Sequence, residues 1–152
     1  MTNLEQPLSA TLPGTWELAS RIDVSDDGQE KTEPSLGSDP IAILIYDRAG
    51  HFAAQFMKRD RSSVEAITDH LVAGTNNSRA QGGYDAYFGT YTVDDAAGTV
   101  TQRLIGALSP ENVGLVLTRG MLVEGDRLTI KLRTSSAAGG EVTRTLIWKR
   151  TG

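Results

Sequence analysis

The sequence predicts an all-β fold, an antiparallel up-and-down barrel of about eight strands with one short helix at 62–75. Three observations carry that reading. Short β-rich segments recur along the whole chain, separated by Gly and Asp turns. Most connections are too short to hold a crossover helix, so consecutive strands pair antiparallel. Helical periodicity is confined to SSVEAITDHLVAGT, where Val64, Ile67 and Leu71 share a face.

In order, the strands are read at 14–24, 41–46, 51–58, 85–93, 99–107, 114–123, 127–133 and 141–149, with a short extra strand near 29–32. DRAG, DDAAG and EGD are hairpin-sized turns, and SPENV and SSAAGG are slightly longer. Eight strands paired in sequence order close into a barrel, which leaves no exposed edge. Residues 1–11 read as a disordered or loosely packed lead-in, and 12–152 as one domain of a size that buries a core without disulfides.

Composition excludes several classes. There is no cysteine, hence no disulfide, thiolate nucleophile or cysteine-ligated metal. A net charge of −4 argues against a nucleic-acid backbone or an anionic membrane as partner. No run approaches the ~18 apolar residues of a membrane span, and MTNLEQPLSATLPG lacks the basic start and apolar stretch of a secretory signal, so a cytoplasmic monomer or homodimer is expected. No GxSxG, phosphate loop, dinucleotide fingerprint, HxH or HExxH occurs, so neither a metal nor another cofactor is expected.

Order and spacing of motifs point further. GTWEL, LIYDRAGHFAAQFMKRDR, YFGTYTVD, GTVT, LSPENVG and GDRLTIK resemble the bacterial lipocalin-like domain proteins of about this length, within the calycin barrels, from roughly Leu12 to Arg150. The resemblance implies that Trp16 plugs the closed end of the barrel and that a late basic residue, Arg150 or Arg144, packs across its ring. It leaves activity open, because such barrels host carriers as well as cofactor-free enzymes. Relatives tend to carry histidine after the GTVT turn and an Asn-Trp pair in the next loop. Here those places read Gln102-Arg103 and Glu111-Asn112-Val113, so no histidine-based role carries over.

Strand parity selects candidate interior residues. In the first strand Trp16, Leu18, Ser20 and Ile22 fall on one face, opposite Thr15, Glu17, Arg21 and Asp23. Arg119 and Arg144 lie among apolar neighbours, where a guanidinium needs a carboxylate, carbonyls or an anion; Arg119 either binds a ligand oxygen or sits at a rim with its head in water. Tyr46, Tyr87 and Tyr91 suit a pocket for a flat ligand, and Gln102 points inward to orient a carbonyl. If the DRAG turn pairs Tyr46 with His51, then Gln55 and Met57 face the cavity with Ala42, Leu44 and Tyr46, and Ile41, Ile43 and Ile45 stack with Phe52, Ala54 and Phe56 as an outer seal. A bulge at Gly50 would reverse that pairing.

His51, at a barrel end, and His70, on the helix, are the candidate acid–base residues, with Arg119 and Tyr91 as candidate catalytic partners. Two functions follow: a barrel that binds a small, largely apolar, aromatic or polyketide-like molecule, or a cofactor-independent isomerase, cyclase or lyase acting on such a molecule. Both require a cavity of roughly 300 Å³ or more. A third, an accessory interaction domain with a filled core, requires none.

Overall fold

The computed structural model describes residues 6–61, 80–136 and 140–152. The expected helix at 62–75, with His70, lies outside the described residues. Among those described, the elements in chain order are α1 (Leu8–Thr11), β1 (Gly14–Ser25), β2 (Glu30–Lys31), β3 (Ile41–Tyr46), β4 (His51–Met57), β5 (Tyr84–Asp94), β6 (Thr99–Ala107), a 3-10 turn (Pro110–Asn112), β7 (Val116–Glu124), β8 (Arg127–Ser135) and β9 (Glu141–Arg150).

The strands pair antiparallel in the order β2-β1-β3-β4-β5-β6-β7-β8-β9, and β1 also pairs with β9. That closure makes an eight-stranded up-and-down barrel, with β2 as a short addition beside the far end of β1. Alternation is regular on the later strands: β8 and β9 bury Leu128, Ile130, Val142, Arg144, Leu146 and Trp148.

One end of the barrel is sealed. Trp16 is fully buried there. Its indole N–H donates to the Leu12 carbonyl at 3.0 Å, and the Arg150 guanidinium lies 4.2 Å from the centre of a Trp16 ring. Arg150 also donates to the carbonyls of Thr11 and Pro13, which holds the turn of α1 under the barrel. Gly14 makes this approach possible. Its φ is +144°, and a Cβ there would stand 2.5 Å from Arg150 Nη1 and 2.8 Å from the Gly152 carbonyl.

Two irregularities set which residues face inward. Between Leu18 and Ser20 the β1–β9 register shifts, leaving Ala19 as an extra residue. Beyond this bulge the parity of β1 is reversed from that read in the sequence: Arg21 and Asp23 are buried and Ile22 is 40% exposed. In the β3–β4 hairpin Tyr46 pairs with Phe52, not His51. The turn closes with the Asp47 N–H donating to the His51 carbonyl at 2.9 Å, and Gly50 takes φ +97°, the three-residue loop that needs a left-handed residue at its end. Phe52, Ala54 and Phe56 therefore face inward with Ala42, Leu44 and Tyr46, while Ile41, Ile43 and Ile45 line the outer surface with Gln55 and Met57.

Candidate functional site

Above the sealed end the barrel encloses a cavity of about 70 Å³. That is below the ~300 Å³ expected from the sequence, because large polar side chains occupy the interior. Its apolar wall comes from Leu36, Leu44, Phe56, Ile130, Leu132 and Leu146. Its polar wall comes from Arg21 of β1, Tyr46 of β3, Asp85 and Tyr87 of β5, Gln102 of β6, Arg119 of β7, and Arg144 and Trp148 of β9.

The deep polar groups form a chain. Gln102 Nε2 donates to the Tyr46 hydroxyl at 2.6 Å, and that hydroxyl lies 3.8 Å from Met121 Sδ. Full burial pushes the Tyr46 phenol well above the ordinary tyrosine range, so it stays protonated as a donor. Arg119 is buried beside Tyr87 and Tyr46; burial lowers its pKa and the two phenols oppose that shift. Tyr87 is bracketed by Phe52 and Phe56, with ring centres at 6.0 and 6.1 Å.

Toward the other end two ion pairs lie inside the barrel. Asp23 and Arg144 are direct partners across the β1–β9 ladder, joined by Arg144 Nε and Nη2 donating to the two Asp23 oxygens at 2.8 and 2.9 Å. Arg144 thus answers to a carboxylate and does not take the Trp16 plug position expected for it. Arg21 Nη2 donates to Glu33 Oε1 at 3.3 Å. Glu33 in turn accepts from the N–H groups of Ser35 and Leu36, which folds the connection after β2 inward and tucks Leu36 into the cavity wall.

Asp85 differs from these. It is 4% exposed, and the hydrogen bond its carboxyl receives among the described residues is from the Ala86 N–H to Oδ1 at 2.9 Å. Burial raises its pKa to about 7, opposed by the Ala86 N–H and by the charge of Arg21. Trp148 Nε1 is buried with no hydrogen-bond partner among the described residues.

The remaining candidates lie elsewhere. Gln55 is exposed on the outer face and bonded to the Tyr84 hydroxyl; Met57 borders the same outer groove. The one-residue difference in the DRAG turn placed both outside. The Tyr91 hydroxyl donates to the Asp47 carbonyl at 2.5 Å, and its ring meets the Tyr46 ring edge-on at 4.8 Å, so it braces the closed-end turn and does not line the cavity. His51 stands exposed at that end on the outward parity of β4, its Nδ1 3.2 Å from Asp47 Oδ2, and it does not line the cavity.

The sequence profile of the lipocalin-like domain matches residues 13–151, the length of the barrel with its Trp16 plug. The chain belongs to the lipocalin-like domain family. No curated protein sequence matches it significantly, so the family supplies the fold and the position of the calyx, and the chemistry rests on the residues themselves. No helix among the described residues is long and apolar enough to cross a membrane.

Sequence reasoning missed Arg21 and Asp23 of the lipocalin-like calyx because nothing marks Ala19 as a bulge. Asp85 was findable: it shares parity with Tyr87 and Gly89, and a carboxylate on that face is the anomaly. Trp148 shares the inward parity of Arg144 and Leu146 on β9, but its unpaired N–H emerges only from the packing.

Proposed function

We propose that this lipocalin-like barrel is a binding module for a small, largely apolar molecule held in the central cavity by an apolar wall and oriented by a few polar groups. The observation that carries the reading is the company of that cavity. Arg21, Asp85, Gln102, Arg119 and Arg144 are all buried in it, and burying such groups is costly in a core that has only to be filled. A filled accessory domain has no use for them.

The size limits the ligand. About 70 Å³ accommodates about five or six waters at ~12 Å³ each, so the enclosed part is a single ring, and a polyketide-like scaffold would enter only by one end. The net charge of −4 favours ligands over polyanionic partners.

Ligand-observed NMR with ring-sized fragments tests the reading. Fragments are expected to bind the natural protein, to change its tryptophan emission through Trp148, and to lose binding in Leu146→Trp or Leu132→Phe, which fill the same space from two strands. Gln55→Ala should bind unchanged. Binding that survives both filling substitutions, or no binding at all, overturns the proposal. A second reading, a cofactor-free isomerase, cyclase or lyase, is favoured by Asp85, whose carboxyl exchanges its proton near neutral pH inside the cavity; it requires turnover that Asp85→Asn abolishes while binding persists.

A further inference from the structure

We propose that Asp85, as its neutral carboxylic acid, and the Trp148 indole N–H are the ligand-reading donors of the calyx, and that the ligand presents a carbonyl-type oxygen to them. The proposal rests on the binding role inferred above and names the chemical class that role selects.

Two independent groups lead to it. Trp148 Nε1 is a donor only, buried in a residue 1% exposed, with no acceptor among the described residues; an unsatisfied buried donor is costly, and an acceptor on a bound molecule removes the cost. Asp85 lines the same cavity at 4% exposure, with no hydrogen bond from another side chain among the described residues. The two are linked through Phe56, which is Asp85's partner across the β4–β5 ladder and meets the Trp148 ring at 5.7 Å. A ring-sized ligand against Phe56 therefore has both within its surroundings.

Burial and two charges decide the protonation of Asp85: Arg21 of β1 lowers its pKa and Glu33, after β2, raises it. Arg119 of β7, Arg144 of β9 and the phenols of Tyr46 and Tyr87 line the same cavity, and Asp23 of β1 is buried against Arg144. Asp23 is committed to Arg144 and Glu33 to Arg21, so neither guanidinium is reserved for Asp85. Burial raises its pKa to about 7. Below neutrality the carboxyl is then largely an O–H donor. Together with the Trp148 N–H it makes a donor surface, complementary to a ketone, enone, quinone or lactone oxygen and not to an ammonium or a second donor.

The sign of the pH dependence separates this from the opposite assignment. If the neutral acid donates to the ligand, ligand binding takes up a proton, and affinity falls by about tenfold between about pH 6 and about pH 8. A ligand hydroxyl donating to ionised Asp85 would give affinity that rises over the same window.

The test uses cyclohexanone and methylenecyclohexane, which share shape and differ in the oxygen, titrated by ligand-observed NMR into the full chain. Cyclohexanone is expected to bind more tightly, with the pH dependence above. Asp85→Asn, whose amide keeps an N–H donor, should hold its affinity within about threefold and abolish that dependence, and Trp148→Phe should weaken cyclohexanone by about three- to tenfold while leaving methylenecyclohexane unchanged. Equal binding of the two probes, affinity that rises with pH or is independent of it, or loss of binding in Asp85→Asn overturns the donor assignment and leaves the calyx reading standing. Failure of both probes and of every fragment to bind overturns both.

Discussion

Asp23→Asn is the most informative single perturbation of the fold. The Asp23–Arg144 pair is 3–5% exposed at its side chains, with contacts of 2.8 and 2.9 Å, so neither charge is solvated by bulk water. At an effective dielectric of about 20 and a charge separation of about 4 Å, the attraction is about 4 kcal/mol, which offsets the desolvation of the two ions. Removing the carboxylate leaves Arg144 uncompensated beside Arg21, whose pKa is already lowered by burial and by the charge of Arg144. The expected loss is about 4 kcal/mol, or about 8–16 °C in Tm for a domain of this size. Arg144→Met should cost less, about 2 kcal/mol, because Asp23 keeps Arg21 as an electrostatic neighbour. The double substitution Asp23→Leu with Arg144→Met should recover most of the loss. Urea unfolding of the four proteins closes the cycle. A loss below about 1 kcal/mol for Asp23→Asn, or a larger loss for Arg144→Met, would refute the reasoning.

Asp85 makes stability fall with rising pH. Its folded pKa of about 7 lies above the unfolded 3.8, so the native state retains a proton that the unfolded chain releases between those values; the stabilisation present at low pH is lost through this window, to a cost of about 4 kcal/mol above it. Asp85→Asn should match the natural protein in urea at about pH 4 and exceed it at about pH 8, and equal stability at the higher pH would contradict this. Gly89→Ala should cost about 3 kcal/mol, since its Cβ would stand 1.8 Å from the Arg103 carbonyl oxygen. Gly106→Ala meets only the exposed Phe88 ring, at 2.3 Å, which swings away at under about 1 kcal/mol; thermal melts showing the two alike would sink the distinction. Arg150→Ala should lose about 2–4 kcal/mol from the ring contact and the two carbonyl bonds, and Arg150→Lys should restore less than half in the same melts, because one ammonium does not cover the ring and reach both carbonyls.

Strand positions and turns were legible in the sequence because each depends on neighbours within a few residues. DRAG, DDAAG and EGD close the hairpins where expected, and GTWEL supplies both the indole and the glycine that lets Arg150 cross it. Faces were legible where no bulge or uncertain turn lies between the residue and the start of its strand; the shift on β6 comes at Ile105, after Gln102. On β6 and β7 parity placed Gln102 and Arg119 inside, as found. On β4 the whole assignment hung on one residue of turn length, and Gln55 and Met57 went to the wrong side with it.

The Ala19 bulge has more consequence than the loss of one face assignment. Before it, β1 contributes Trp16 and Leu18, and the end of the barrel that they face is apolar and sealed. After it the strand turns Arg21 and Asp23 inward, and register sets Asp23 directly against Arg144. An unbroken β1 would have presented Ile22 there and left Arg144 with no carboxylate across the ladder. One unpaired residue thus divides the interior into an apolar plug and a charged chamber, and the chamber is where Asp85 and Trp148 retain hydrogen-bonding capacity that the described fold does not consume. A polar interior of this kind is maintained against its desolvation cost by the Arg144–Asp23 and Arg21–Glu33 pairs. The same pairs hold both guanidiniums in bonds to other carboxylates, so the charge of Arg21 only partly opposes the burial that raises the Asp85 pKa, and the carboxyl stays in reserve for a ligand.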